Sequence, residues 1–193
     1  MGKRTDSRDR TVAAAEHLFR ARGVTGTGLR DIVEAAGTAR GALGHHFPGG
    51  KEELVLAVID HNMSRTAGLL REAAQTQPRP SPSDVVRLLV GFWRDELLRT
   101  DYALGCPLVA MVVDDVVNHP QVRTAVATAL SSLQDPLATL LSHDDTTPSP
   151  GLAMALLAGV EGAVVLSRAH RSVQPLDEVE QVFLTLTARE GWV

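Results

Sequence analysis

The stretch GTARGALGHHFPGGKEEL, residues 37–54, contains the residue types that most often contact nucleic acid. It has five glycines, two adjacent histidines, one arginine and one of only two lysines in the chain. An arginine guanidinium pairs with O6 and N7 of guanine in the major groove, and glycine lets a backbone approach a duplex closely. A lysine at a helix N-terminus adds its charge to free N–H groups that attract phosphate. These residue types predict a DNA-binding segment.

Each of these residues also has a simpler interpretation. Arg40 is either a base contact or a solvated helix charge, and we favour the base contact. Gly41 either lets the helix backbone approach the DNA duplex closely or marks an irregular helix start, and we give the two interpretations equal weight. Thr38 either caps the helix or donates to phosphate, and capping is favoured. For His45 and His46 we expect no metal site, because adjacent helical residues point about 100° apart and no acid or cysteine completes a ligand set. His45 is instead expected to contact phosphate or a base edge.

Apolar residues recurring at three- and four-residue steps predict four helices around this segment, over 8–22, 28–36, 38–47 and 51–74. Gly23 closes the first helix, and Thr27 is expected to cap the second. A tight turn at Gly37 joins the second helix to the third. This is the spacing of a helix-turn-helix motif, in which the first short helix braces across the DNA backbone and the next enters the major groove.

The proline-rich stretch 75–83 separates this part from a second helical region. There we expect further helices over 83–100, 106–119, 120–142, 152–171 and 175–190. Ser83 is expected to cap the first of them, and Pro120 and Pro175 suit first helical positions. About nine helices and no convincing strand predict an all-α fold.

Composition is consistent with packed helices in a reducing compartment. Hydrophobic residues make up 44% of the chain but aromatic residues only 4%, so Ala, Leu and Val must fill the core. The single cysteine, Cys106, excludes an intramolecular disulfide. Neither a signal-peptide pattern nor a run of about 18 apolar residues is present. We therefore expect a cytoplasmic protein without a membrane partner.

The charge is unevenly distributed along the chain. Residues 1–51 carry nine Lys or Arg and five Asp or Glu, a balance of +4, whereas residues 52–193 carry ten Arg and 18 Asp or Glu, a balance of −8. A basic part suits contact with phosphates, and an acidic part stays away from the polyanion. Ordinary patchiness is the alternative explanation.

Three segments, AAEHLFRARG, TGLRDIVEAAG and ARGALGHHFPGGKEEL, follow one another in the order typical of one family. Their matching positions are Phe19, Gly23, Thr27, Ala36, Gly37, Arg40, Gly41, Leu43, His46, Phe47, Lys51 and Leu54. Residues 8–60 accordingly resemble the DNA-binding domain of the TetR family. HHFPGGKEEL, and more weakly GCPL at 105–108, resemble the branch that contains drug-responsive repressors.

Three positions depart from the family pattern. Gly44 stands where the family usually has a tyrosine that reaches phosphate, and Ala39 stands where serine is common. FPGGKEEL carries an extra glycine. The first two departures remove one DNA-backbone contact and one hydroxyl donor.

The resemblance implies a dimeric, ligand-responsive transcriptional regulator, most often a repressor. Its DNA-binding domain would span residues 1–51 with the motif at about 28–47, and its ligand-binding and dimerisation domain would span 52–193. DNA contacts are expected at Thr27, Arg30, Thr38, Ala39, Arg40, Gly41, His45, His46 and Lys51. The partners are a palindromic double-stranded operator and a second copy, which would pack through the last two long helices.

A small apolar or aromatic effector is expected between the helices of the C-terminal region. Candidate lining residues are Phe92, Trp93, Tyr102, Cys106, Met111 and Phe183. Ordinary core packing is the alternative for all six. We expect neither a cofactor nor a metal ion.

Two other function classes stay open. An all-α enzyme is disfavoured, because the chain has no nucleophile elbow, HExxH, P-loop or complete dinucleotide fingerprint. A helical small-molecule-binding protein with weakened DNA binding is the second alternative, which the departures at Gly44 and Ala39 keep open.

Overall fold

The computed structural model describes residues 2–75, 79–114, 119–142 and 147–188, which form nine α-helices and no β-strand. The predicted all-α fold is confirmed. The helices are α1 Gly2–Arg22, α2 Leu29–Ala36, α3 Arg40–His46, α4 Gly50–Gln75, α5 Pro82–Arg99, α6 Pro107–Val112, α7 Pro120–Leu140, α8 Pro150–His170 and α9 Gln174–Thr187.

The helices are distributed over two compact units. The first comprises Met1–Arg65 and Cys106–Ala129, and the second comprises Thr66–Gly105 and Leu130–Val193. The first unit is therefore larger than the predicted DNA-binding domain of residues 1–51, because it includes α6 and the beginning of α7. The functional division at residue 51 stays a prediction, since a compact unit and a functional domain need not share boundaries.

The first unit has a small apolar core between α1, α2, α3 and the beginning of α4. Phe19 from α1, Ile32 from α2 and Leu54 from α4 are completely buried, and Phe47 is 1% exposed just after α3. α1 packs against α2, α3 and α6. The buried Phe19 and Phe47 lie on either side of the short α2 and α3. They fix the angles between helices that have little stability of their own.

The second unit is built on α5, α8 and α9, which pack against one another. Val86, Val90 and Leu97 form the buried stripe of α5, and Leu176 anchors α9. At the edge of this core, Arg94 donates to Asp177 at 2.7 Å and to Glu180 at 2.7 Å. These bonds, first that to Asp177 and then that to Glu180, raise the pKa of Arg94.

Several helix ends differ from the sequence prediction. α5 is capped by Ser81, not Ser83, because Pro82 suits the first helical position and Asp84 accepts a bond from the Ser81 N–H at 3.1 Å. α6 ends at Val112, so the helix predicted over 106–119 is shorter; residues 115–118 lie outside the described part. α1 begins six residues before the predicted start at residue 8.

Among the described residues, one helix, α8, is long and apolar enough to cross a membrane by length and composition. Its mean hydropathy reaches 1.7 over its most apolar window, and 33% of that window is buried. Glu161 interrupts the apolar run. The residues of α8 that remain exposed between Gly151 and Ala169 are Gly151, Met154, Ala155, Ala158, Gly162, Val165, Leu166 and Ala169. They recur at three- and four-residue steps and therefore form one uncharged stripe.

Candidate nucleic-acid interface

The turn between α2 and α3 has the geometry that a helix-turn-helix motif requires. Gly37 ends α2 with φ 60° and ψ 36°, a left-handed conformation that glycine adopts without strain. The Gly37 N–H donates to Glu34 O, and the Thr38 N–H donates to Val33 O at 3.2 Å. These two bonds satisfy the last carbonyls of α2. The chain then enters α3 after only two further residues.

α3 exposes two glycines and one histidine on one face. Gly41, Gly44 and His45 are exposed on one side of the helix, whereas Leu43 is buried on the other. Apart from chain neighbours and the helix's own backbone, no atom of the described residues lies within 4 Å of the position that a Cβ would take at Gly41 or Gly44. The described residues therefore leave the backbone at these two glycines open to a large ligand. His46 is half-buried and makes an edge-on ring contact with Phe47, with ring centroids 6.4 Å apart.

Arg40 is the first residue of α3. Its side chain lies outside the part of the structure that is described. The predicted contact between Arg40 and guanine therefore stays a prediction from the sequence.

A groove with a volume of about 620 Å³ lies between α2 and α3. Arg30 and Thr38 both line it, together with the acidic Glu34 and the apolar Val33 and Leu43. Arg30 is exposed, whereas the Thr38 hydroxyl oxygen is buried and has no hydrogen-bond partner among the described residues. The predicted phosphate contact of Thr38 stays untested, and this burial disfavours it.

Thr27 has a structural role that differs from the predicted helix cap. The N-cap of α2 is Gly28, so the prediction that Thr27 caps this helix is wrong. Thr27 is 1% exposed, and its hydroxyl donates to Gly23 O at 2.7 Å. This bond closes the turn between α1 and α2 from the inside. The predicted phosphate contact of Thr27 stays untested, and such burial disfavours it.

The N-cap position of α3 is occupied by Ala39, not by Thr38 as predicted. Ala39 has the extended backbone of an N-cap residue, φ −69° and ψ 144°, but makes no side-chain cap bond. We expect Ala39→Ser to stabilise the fold by about 1 kcal/mol, because a serine hydroxyl there accepts a free N–H of the first turn. Thermal unfolding followed by circular dichroism measures this as a Tm higher by about 2–4 °C.

Ala42→Ser is the matched control, because it adds the same hydroxyl inside α3 where no cap is needed. A Tm for Ala39→Ser that equals that of the unchanged protein, or a gain of the same size for Ala42→Ser, contradicts the capping argument.

Lys51 lies in the first turn of α4 and is partly exposed. The N–H groups next to it are already occupied: Gly49 N–H donates to Glu53 Oε2 at 2.8 Å, and Gly50 N–H donates to Phe47 O at 2.9 Å. The Lys51 ammonium is therefore a better phosphate ligand than these two backbone groups. Glu52 lies 3.5 Å from the ring of His119, measured from Oε2 to Nδ1.

Asp114, a residue that the sequence did not single out, contacts this part of the molecule. Its Oδ2 accepts the Thr25 N–H at 2.7 Å, and its Oδ1 accepts the Thr25 hydroxyl. Asp114 follows α6 and is 89 positions away from Thr25. No periodicity or motif signals a contact at that distance in sequence.

The six candidate effector-lining residues fall into two groups. Cys106 and Met111 belong to the first unit, and Phe92, Trp93, Tyr102 and Phe183 belong to the second. Four of the six are buried to at least nine-tenths: Trp93, Cys106, Met111 and Phe183. Phe92 is 44% exposed and lies edge-on to Trp93, with ring centroids 5.3 Å apart. Their role as an effector pocket stays a prediction.

Tyr102 lies in a loop that is held by two arginines from the end of α8. Asp101 and Tyr102 both have positive φ angles, 50° and 60°. Arg168 donates to Tyr102 O at 3.3 Å and to Ala103 O at 3.0 Å, and Arg171 donates to Asp101 Oδ1 at 2.6 Å. These bonds hold a backbone conformation that is unfavourable for non-glycine residues.

Family models match both halves of the chain. Residues 12–58 match the tetR family of bacterial regulatory proteins, and residues 82–182 match the C-terminal domain of LmrA/YxaF-like transcriptional regulators. The HTH-type transcriptional regulator LmrA of Bacillus subtilis is 44% identical over 186 residues, which is 95% of this chain and 98% of LmrA. An uncharacterized HTH-type transcriptional regulator of Mycobacterium tuberculosis is 30% identical over 95% of both chains.

Solved structures share the fold over nearly the whole chain. A regulatory protein TetR from Rhodobacter sphaeroides superposes with a TM-score of 0.83 at 21% identity, covering 93% of this chain and 97% of that one. A TetR transcriptional regulator from Chloroflexus aurantiacus has a TM-score of 0.80 at 25% identity and covers 98% of both chains.

Proposed function

The chain belongs to the TetR family of bacterial transcriptional regulators, and on that premise we propose that it is a dimeric repressor that leaves its operator when a small apolar molecule binds. Family membership confirms two expectations from the sequence: the protein is a DNA-binding regulator and is not an enzyme. The repressor role, the dimer, the effector and the cytoplasmic location are the proposal.

The exposed face of α3 is the observation that carries the DNA-binding part of the proposal. Gly41 and Gly44 leave the backbone uncovered beside His45, and the groove with Arg30 and Thr38 lies on the same motif. Two glycines on the exposed face of a recognition helix let its backbone come close to the base edges in a major groove about 12 Å wide. Lys51 follows α3 closely in the chain and supplies a positive charge for a phosphate of the same half-site.

The uncharged stripe of α8 supports a homodimer. Met154, Val165 and Leu166 are each about half exposed, and the glycines and alanines between them leave room for a close helix approach. A contiguous apolar helix face of this kind usually marks an interface. Two copies related by a two-fold axis would then pair α8 and α9 in a four-helix arrangement, and the two α3 helices would meet a palindromic operator. An interface of this kind also accounts for the apolar character of α8 without a membrane.

An effector releases the protein from DNA only if it binds the free conformation more tightly than the DNA-bound one. The aromatic residues of the second unit, Phe92, Trp93, Tyr102 and Phe183, are the candidate contacts. They suit an apolar or aromatic molecule, because aromatic side chains of this kind line most small-molecule sites.

Selection of duplexes from a random-sequence DNA pool by the purified protein tests this proposal. We expect enrichment of a palindromic sequence, and fluorescence anisotropy should then show saturable binding that weakens steeply as salt increases. A panel of hydrophobic small molecules should contain at least one that weakens the binding. If no sequence is enriched but a molecule of the panel binds, the protein is a helical small-molecule binder with weakened DNA binding.

A further inference from the structure

The turn between α1 and α2, residues 23–28, sets the direction in which α2 leaves the rest of the first unit. Its inner side is held by the protein's own backbone and by Thr27. Gly23 N–H donates to Phe19 O at 2.9 Å, Thr27 N–H donates to Val24 O at 3.1 Å, and Val24 is 2% exposed. These contacts all come from α1 and from the turn itself.

The outer side of the turn is held by Asp114. The Thr25 N–H donates to Asp114 Oδ2 at 2.7 Å, and the Thr25 hydroxyl donates to Asp114 Oδ1. A Cβ at Gly23 would lie 2.9 Å from the same Oδ2, so the carboxylate packs directly on the turn. Hydrogen bonds to an ionised acceptor are stronger than neutral ones, and a carboxylate that takes two donors from one residue also fixes its orientation.

The elements that follow the turn transmit its orientation to the DNA-binding surface. Gly28 N–H donates to Asp31 Oδ2 at 3.3 Å, which joins the end of the turn to the first turn of α2. α2 carries Arg30, and its other end leads into α3 through a short turn that the two bonds of Gly37 and Thr38 to α2 carbonyls hold; α2 and α3 also pack against each other. A small rotation of the turn therefore displaces Arg30 and α3 together. Displacements of about half an ångström already impair a binding site.

We propose that Asp114 is a positioning residue for DNA binding, which holds the turn between α1 and α2 so that α2 and α3 meet the operator in the correct orientation. The inference rests on the proposed DNA-binding function. Asp114 lies two residues after the end of α6.

Operator affinity of Asp114 variants tests the proposal. The probe is a fluorescein-labelled duplex with the sequence that the unchanged protein selects, and titrations are made well below the Tm of every variant. We expect Asp114→Ala to weaken binding by about 10-fold, because it removes both acceptors. Asp114→Asn removes the same charge but keeps an acceptor for the Thr25 N–H, and we expect it to stay within about threefold of the unchanged protein.

Thr25→Val provides the second arm, because it removes the hydroxyl without altering any charge. It should weaken binding by about threefold alone, and by much less when Asp114→Ala is already present. A side chain that only stabilises the fold would lower the Tm in Asp114→Ala without changing the affinity of the folded protein.

The possible outcomes separate this inference from the function on which it rests. If the unchanged protein selects no sequence, the proposed function fails and this inference fails with it. If the unchanged protein binds its selected duplex and Asp114→Ala binds equally well, only the positioning role is overturned. Equal losses in Asp114→Ala and Asp114→Asn, together with unchanged binding by Thr25→Val, overturn it as well, since the charge at position 114 and not its hydrogen bonds to Thr25 would then be responsible.

Discussion

Replacing Arg40 and Lys51 together by alanine weakens binding to the selected operator by at least about 100-fold, while the protein stays folded. A bidentate arginine–guanine pair contributes about 1–3 kcal/mol of discrimination, and a two-fold dimer loses that pair in both half-sites. Loss of one lysine–phosphate contact per half-site also makes the salt dependence shallower: the magnitude of the negative slope of log affinity against log salt decreases by about two. Anisotropy titrations over a series of salt concentrations measure both effects.

The control for this double replacement is Arg87→Ala with Arg99→Ala. It removes the same number of positive charges from exposed positions of α5, in the second unit. We expect less than a threefold change in operator affinity, which is roughly the range of a nonspecific charge effect. Equal losses in the two double variants would mean that net charge, not contact by Arg40 and Lys51, governs binding.

We expect Leu166→Glu to convert the proposed dimer to a monomer and to weaken operator binding by about 100-fold or more. Leu166 is 51% exposed in the uncharged stripe of α8. A carboxylate from each protomer, buried without a positive partner in the proposed apolar interface, would lose its hydration at a cost of several kcal/mol. Two monomers bind the two half-sites independently. They therefore lose the higher overall affinity that a dimer has when it binds both half-sites at once. Light scattering coupled to size-exclusion chromatography gives the mass, and anisotropy gives the affinity.

Leu88→Glu is the matched control for this prediction. Leu88 is a leucine on α5 with 60% exposure, and it lies outside the proposed interface. It should leave both the mass and the operator affinity unchanged. A dimer that survives Leu166→Glu, with an unaltered thermal transition, contradicts the assignment of the interface to α8.

The helix-turn-helix part of the fold was predictable because its signals are local. Gly37 needs a left-handed conformation, Phe19 and Phe47 bracket the motif, and the apolar spacing places Ile32 and Leu43 inward. The fine errors arose where two neighbouring residues compete for one role. Ser81 caps α5 in place of Ser83. Pro82 suits the first helical position, and Asp84 accepts a bond from the Ser81 N–H, so both residues select the earlier start.

Contacts between distant parts of the chain were not predictable from periodicity. The bond of Thr25 to Asp114 depends on where α6 packs against α1, and the shorter α6 could not be seen in a run of apolar residues that extends past Val112. The six candidate effector contacts illustrate a second limit. Large apolar residues follow the same pattern whether they fill a core or line a cavity, so sequence does not distinguish the two roles.

Methylation interference on the selected duplex tests the central claim, that α3 of each protomer lies in the major groove. Dimethyl sulfate modifies guanine N7, which faces the major groove, and adenine N3, which faces the minor groove. We predict that N7 methylation of guanines in two half-sites, about one helical turn or more apart, prevents binding. The account is contradicted if duplexes methylated at these guanines bind as tightly as unmethylated ones, or if only methylation of adenine N3 interferes with binding.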